Sequence, residues 1–364
     1  MPLLIDVATA SPPYRVSQAR AAAELKTRMG GRPAVGRMID AAVSLSGIAT
    51  RAVVVPDAET GGGERFYPTS PDSSAPDTKQ RMNLYKEWSA KLAMEAVSQL
   101  LRSTETPPST ITRIITISCT GFSAPNFDHE LIISLGLPSQ IKRTHIGFMG
   151  CAAAIIGFTS AFEALHVAHG NEGNVLVVAV ELCSLHLQTD PTRDNILANM
   201  IFADGCGAAL FSPDSARPAK ARLVHTRSLL FPDSKKYMGW EIGNHGFEMM
   251  LSSELPEVIA DVAVPAARTI LSEMGLRPND IRFWALHPGG RAIIDALHTG
   301  LGLTDDQVAP SRAVLQQNGN MSSASILYVL KELFSRSHLQ PDDLLCAIAF
   351  GPGLTMELAL FRGV

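Results

Sequence analysis

The chain has no excess of positive charge: 31 Lys and Arg against 35 Asp and Glu leave a formal net charge of −4. That gives no reason to expect nucleic acid or an anionic membrane surface as a partner. No apolar run approaches the ~20 residues of a membrane-spanning helix. The opening "MPLLIDVATASPPYRVSQ" lacks a basic region followed by a signal-type core, so no export signal is expected. The five cysteines (Cys119, Cys151, Cys183, Cys206 and Cys346) are odd in number and scattered. Without metal-like pairing, they exclude a disulfide framework and a structural metal site, and predict a reduced, cytoplasmic protein. What is abundant is apolar residue, 46% against 18% charged. Over 364 residues this suits two fused lobes or one large α/β unit.

Short β-branched runs ("RIITISC", "NVLVVAVELC", "ARLVHTRSLL", "RFWALHPGG", "LLCAIAFGPG") alternate with helical patterns near 78–102, 151–169, 256–275 and 322–335. Strands alternating with helices predict a mostly parallel α/β architecture. Residues 56–80, rich in Pro, Gly, Ser and Asp, read as a loop. "SPDSARPAK" (212–220) is the clearest break in composition. It divides the chain into 1–212 and 213–364. Each part carries a strand, a turn and a helix with one unusual polar residue: Cys151 in the first, Asn320 in the second.

In "THIGFMGCAAAIIGFTSAFEALHVA", Ile146 to Met149 reads as the end of a buried strand and Gly150 as a tight turn. The following helix is apolar nearly all round and should be buried on every side. Cys151 then sits at a helix N-terminus, where orphan N–H groups and the helix dipole favour a thiolate. The alternative is a small core residue, as most buried cysteines are. His287 ends an apolar strand in "WALHPGGRAIIDAL", beside a Gly-rich turn, a usual place for α/β active sites; otherwise it is a core histidine with satisfied hydrogen bonds. In "QQNGNMSSASILYVL" an N-cap accounts for one of Asn318 and Asn320 but not for both. Gly351-Pro352-Gly353 reads as a rigid turn, or simply as a hairpin. A thiol, an imidazole and a carboxamide together suit one chemistry. The sulfur takes an acyl group from a thioester, and two N–H donors stabilise the oxyanion or enolate of a second thioester. This is decarboxylative Claisen condensation, and the same set could hydrolyse or exchange thioesters. It needs no metal and no bound cofactor.

Four ordered segments, "GFMGCAAA", "ALHPGGRAIID", "NGNMSSAS" and "FGPGLTMEL", resemble the nucleophile, histidine, asparagine and C-terminal loop segments of type III polyketide synthases, the chalcone and stilbene synthase superfamily. The resemblance runs over nearly the whole chain. It implies a thiolase-like five-layered αβαβα fold of two duplicated halves and a homodimer. It also implies an acyl starter on Cys151, delivered by coenzyme A or an acyl carrier protein, with malonyl-CoA or methylmalonyl-CoA as extender. By the same resemblance His287 and Asn320 complete the catalytic set, and Phe202 and Phe247 are gatekeepers. Cys119, Thr120, Cys183, His186, Gly243, Ser322, Gly351, Pro352 and Gly353 would line the acyl pocket. Where plant members place basic residues for coenzyme A this sequence has Ala41 and Leu45; Arg37 and Arg51 are the nearby substitutes. The family's dimer-crossing methionine is replaced by Ala124. "GFMGC" and "IGNHGFEM" look more like microbial alkylpyrone and alkylresorcinol enzymes, which implies an aliphatic starter. The alternatives left open are a single-round ketoacyl synthase of the initiating type, a non-catalytic acyl-binding homologue, and a cysteine hydrolase.

Overall fold

The apolar helix after Cys151 decides the architecture. In the structure, a computed structural model, that helix (Ala153–Val167) lies at the centre of the molecule beside a second one, Ser325–Arg336. Ala153, Ala154, Ile155, Phe158 and Ala161 of the first, and Ile326 to Leu330 of the second, are buried in one cluster. A helix apolar on all sides needs a packing surface on each side, and here both helices are covered by strands on two faces. The structure describes the chain except residues 56, 58–64, 68–74, 168–172 and 214–216. Most of the expected 56–80 loop, the middle of the 212–220 break and the last two residues of the expected 151–169 helix therefore lie outside the described residues.

The strands are β1 (Leu3–Ala10), β2 (Tyr14–Ser17), β3 (Thr50–Val53), β4 (Ile111–Ser118), β5 (Lys142–Gly147), β6 (Asn174–Leu182) and β7 (Asp204–Ser212). They continue as β8 (Ala221–Leu230), β9 (Met238–Gly243), β10 (Gly246–Leu251), β11 (Phe283–Leu286), β12 (Leu344–Gly351) and β13 (Thr355–Arg362). Nine form one sheet in the order β11-β12-β13-β8-β1-β7-β6-β4-β5, while β9–β10 and β2–β3 are separate antiparallel pairs. The large sheet comprises two similar halves. In one, β4 runs parallel to β6, β6 antiparallel to β7, and β7 antiparallel to β1. In the other, β11 runs parallel to β12, β12 antiparallel to β13, and β13 antiparallel to β8. The halves meet where Leu3 and Leu4 pair with Arg222 and Ala221.

The central cluster takes Ile115, Ile117, Val175 and Val177 from one half and Ala285, Leu345, Ala347 and Phe361 from the other. The outer face of the first half is covered by the helix Thr78–Ser103, through Leu92, Ala96 and Leu100. The outer face of the second is covered by Val264–Glu273, Arg291–Leu301 and Asp305–Asn318. The layers are thus helix, sheet, helix, sheet, helix: a thiolase-like αβαβα fold. β6 is buried along its whole length, as a strand covered on both faces should be.

Two expectations fail. The sheet is mixed rather than mostly parallel, because β12 returns as β13 through a three-residue turn that only an antiparallel pair allows. Nor is the strand before Cys151 buried. β5 pairs with β4 alone and forms the open edge of the sheet, with Lys142 to His145 exposed.

Helix and sheet approach closely at Gly157, where an added Cβ would lie 2.8 Å from Ile117 Cδ1 and 2.9 Å from Val177 Cγ1. Gly157→Val overpacks this contact and is expected to cost on the order of 1–3 kcal/mol. A lower melting temperature at unchanged far-ultraviolet circular dichroism checks it.

Candidate active site

The two central helices start side by side, and the turns that precede them carry the chemistry. Cys151 lies in a 3-10 turn (Gly150–Ala152) at the head of the first, and Asn320 precedes the turn Ser322–Ala324 at the head of the second. The approach to Cys151 depends on glycine: Gly150 has φ +68°, and a Cβ there would fall 2.1 Å from Pro352 Cδ. The Gly351-Pro352 turn therefore packs straight onto the turn that bears the thiol. Gly351 is equally confined, since its Cβ would meet Met149 O at 2.7 Å. His287 comes from the opposite half, one residue past β11, with its N–H donated to Ile348 O at 2.8 Å.

Cys151, His287 and Asn320 line one enclosed cavity of about 30 Å³, with Phe202, Met249 and Ile293 among its other walls. The Asn320 amide is oriented by its neighbours. Its Oδ1 accepts from Ser322 N–H (2.8 Å) and Ser325 Oγ (3.4 Å), and Nδ2 donates to Gly289 O at 3.3 Å. This fixes the NH₂ side, and the amide also hydrogen-bonds the Cys151 sulfur. Ser322 Oγ lies 3.5 Å from Cys151 Sγ. His287 is 2% exposed, yet neither ring nitrogen has a hydrogen-bond partner among the described residues. Buried polar atoms are almost always paired, so an imidazole with two idle nitrogens beside a thiol is set up to exchange hydrogen bonds with a ligand.

Burial governs the charges. It pushes the Cys151 thiol up to about 12, against the lowering effect of Ser322, while Glu181 adds to the rise. It pushes the His287 imidazolium down to about 3. The helix N-terminus does not prevail at Cys151, because burial of the sulfur outweighs it. A lone thiolate and a lone imidazolium are each opposed. Moving the proton from sulfur to nitrogen creates both charges together and leaves the cavity neutral.

The remaining predicted residues fall in three groups. Cys119, Thr120, Cys183, Ser322 and Pro352 line a second pocket around the same sulfur, with Phe148, Phe202 and Trp240. Gly150 N–H donates to Cys119 Sγ at 3.1 Å, so that sulfur supports the nucleophile turn. Cys183 and Phe202 also face a larger chamber of about 120 Å³, which His186 and Phe247 help to line. His186 is a clasp as well as a wall. Nε2 donates to Thr120 O (2.7 Å), Nδ1 accepts from Phe247 N–H (3.0 Å), and the ring stacks on Phe247 at 4.2 Å. Gly243 lies at the β9–β10 turn and lines none of these cavities, and Gly353 faces Leu230. Of the two arginines, Arg37 is exposed on the helix Pro33–Ser46. Arg51 is not at an entrance: it is buried, with Nη1 donating to Asn199 O and Phe202 O.

Several wall residues escape the sequence reading. Met238, Trp240 and Met249 alternate with the expected Phe247 along the β9–β10 hairpin on its inner face. The period of two in "MGWEIGNHGFEMML" is the signal that marks them. Trp240 Nε1 donates to Cys119 O at 2.6 Å, tying the hairpin to the thiol pocket. Glu181, fully buried at the end of β6, accepts from Cys119 N–H (3.0 Å) and Thr120 Oγ1 (2.8 Å). It lies inside a run whose apolar period gave it no prominence.

His287→Ala removes the proton acceptor. Alkylation of Cys151 by iodoacetamide at neutral pH is expected to slow on the order of 10²-fold. Its rate should climb with pH without a plateau, toward the value of about 12 of the buried thiol. An unchanged pH profile would show that the imidazole does not take the thiol proton.

Residues 58–264 match the family described as FAE1/Type III polyketide synthase-like protein, and residues 222–364 match the C-terminal domain of chalcone and stilbene synthases. A 1,3,6,8-tetrahydroxynaphthalene synthase of Streptomyces peucetius subsp. caesius is 33% identical over 74% of this chain and 72% of its own. Polyketide synthase 37 of Dictyostelium discoideum is 34% identical over 79% of this chain, which spans only 10% of that longer protein. The crystal structure of PKS-I from the brown alga Ectocarpus siliculosus superposes with a TM-score of 0.92 at 31% identity, covering 100% of this chain and 98% of that one. Among the described residues no helix is long and apolar enough to cross a membrane. The chain belongs to the type III polyketide synthases, acyltransferases that build carbon–carbon bonds.

Proposed function

We propose that the protein loads an aliphatic acyl thioester on Cys151, extends it with malonyl units and releases a cyclised pyrone or resorcinol-like product. The observation that carries the reading is the pair of His287 nitrogens without a partner among the described residues, in one cavity with the Cys151 thiol and the Asn320 amide. His287 takes the thiol proton, the thiolate attacks the starter's carbonyl, and the starter's thiol leaves with a proton. A malonyl thioester then enters. Its carboxylate departs as CO₂, and the electron pair of the broken bond becomes an enolate. An imidazole N–H and the Asn320 N–H that faces Cys151 donate to the enolate oxygen. The enolate carbon attacks the acyl-cysteine, and the thiolate is expelled as the new bond forms. No water-activating carboxylate pairs with His287, so condensation is favoured over hydrolysis.

An aliphatic starter suits walls built from Ile201, Met238, Met249, Leu251 and Ile293. The catalytic cavity is too small for an elongated chain. Phe202, Met249, Cys183 and Trp240 are common to the cavities near the sulfur and the 120 Å³ chamber, so growth proceeds past Phe202 into that chamber. The exposed edge strand β5, with Phe122 and Met149 exposed nearby, supports a homodimer. Arg37 remains available for a coenzyme A phosphate, and carrier-protein delivery is the other route.

Intact-protein mass spectrometry after incubation with a panel of acyl-CoA thioesters and malonyl-CoA tests the reading. The expected result is an acyl adduct lost in Cys151→Ala, with pyrone or resorcinol-like products from aliphatic starters. A naphthalene-type product from malonyl-CoA alone would overturn the choice of starter. A single extension without cyclisation would favour the single-round enzyme, and no adduct with any thioester the acyl-binding homologue. Cys183→Phe is expected to shorten the products, read by chromatography of the reaction mixture; an unchanged spectrum removes Cys183 from the acyl path.

A further inference from the structure

Phe202 and Asn320 come from different halves of the fold, yet each follows directly on a helix end: Arg193–Ile201 for the first, Asp305–Asn318 and Gly319 for the second. The last carbonyls of a helix have no partner within it. Here one short stretch, Ala49–Arg51, satisfies both ends. Ala49 N–H donates to Gln316 O and Thr50 Oγ1 to Gln317 O, each at 2.8 Å. Arg51 Nη1 donates to Asn199 O at 2.6 Å and to Phe202 O at 2.7 Å. The two ends are also joined directly: Asn320 N–H donates to Ile201 O (2.9 Å) and Ala203 N–H to Asn320 O (2.8 Å). The Arg51 stem completes the junction. A Cβ on Gly319, whose φ is +72°, would lie 2.8 Å from Arg51 Cγ and 3.0 Å from Cδ.

We propose that Arg51 is a positioning residue that sets the gate ring of Phe202 and the amide of Asn320 as one unit. Its head holds the carbonyl of the gate residue, and its stem presses on the glycine next to the amide. The side chain is 5% exposed, and Asp204, two residues beyond Phe202, attracts its charge. The junction reaches the Cys151 sulfur through the Asn320 amide and through Ser322, whose Oγ lies 3.5 Å from it, while the backbone of the Cys151 turn is braced by Pro352. The two partial reactions therefore respond to Arg51 to different extents. Acyl transfer to the sulfur depends on the Pro352-braced turn, whereas malonyl decarboxylation depends on the amide that Arg51 seats. A catalytic group displaced by about an ångström can lose ~10² in rate.

This inference rests on the condensing reading above. It is tested by measuring both partial reactions in Arg51→Gln and Arg51→Lys: the acyl adduct by intact mass, and CO₂ release from malonyl-CoA. In Arg51→Gln, adduct formation is expected to stay near the wild-type rate while CO₂ release falls by ~10²-fold. Arg51→Lys should fall in between, since an ammonium lacks the planar fork of the guanidinium. In Arg51→Ala, added guanidinium should restore part of the CO₂ release where equal ammonium does not; if that variant fails to fold, the comparison of Gln with Lys decides. Equal losses in both reactions would make Arg51 a general structural support and overturn the proposal, as would undiminished CO₂ release in Arg51→Gln. Wild-type protein that forms no adduct and releases no CO₂ would sink the condensing reading itself.

Discussion

Everything in the molecule depends on two helices whose N-terminal stretches are buried all round and must be packed between sheets. Ala153–Val167 and Ser325–Arg336 fill the space between the half-sheets, and their apolar cluster draws on both. Because they lie side by side, the turns before them meet, and a cysteine and an asparagine 169 positions apart in sequence come to one cavity. Hydrophobic burial, the least directional of the folding forces, thus fixes the most directional part of the structure.

The burial that follows has two effects on chemistry. It makes each isolated charge costly, which opposes a lone thiolate and a lone imidazolium alike. It also strengthens any hydrogen bond to a charge that develops during reaction, because there is little water to compete. The polar groups at the rim are committed elsewhere. Glu181 holds the Cys119–Thr120 segment, and His186 holds the hairpin through Thr120 and Phe247. His287 and the outer N–H of Asn320 are left to act.

Much of this was legible in the sequence, for physical reasons. The all-apolar helix at 153–167 announces its burial, and the Gly-rich turns at 150, 289–290 and 319 announce the places where backbones bend sharply or come close. Strand direction was not legible: the antiparallel return of β13 follows from a three-residue turn and that of β7 comes after a connection carrying the helix Arg193–Ile201, and neither leaves a mark on the apolar period of the strands. The exposure of β5 was hidden because Ile146 to Met149 is apolar, and an apolar edge awaiting a partner reads like a core strand. Arg51 misled for a related reason. A charged residue is taken for a surface one, and its real partners are main-chain carbonyls, which leave no trace in composition. Trp240 and Met249 were missed because a two-stranded hairpin alternates over too few residues to stand out.

The contact between Pro352 and Gly150 ties the nucleophile turn to a loop made some two hundred residues later. As the chain leaves the ribosome, the first half can form its strands and helices, but its cysteine turn has no brace until the segment between β12 and β13 emerges. A nascent or prematurely terminated chain therefore carries an unshaped thiol rather than a half-working one. The reactive sulfur is assembled only once the segment around residue 352 has been made.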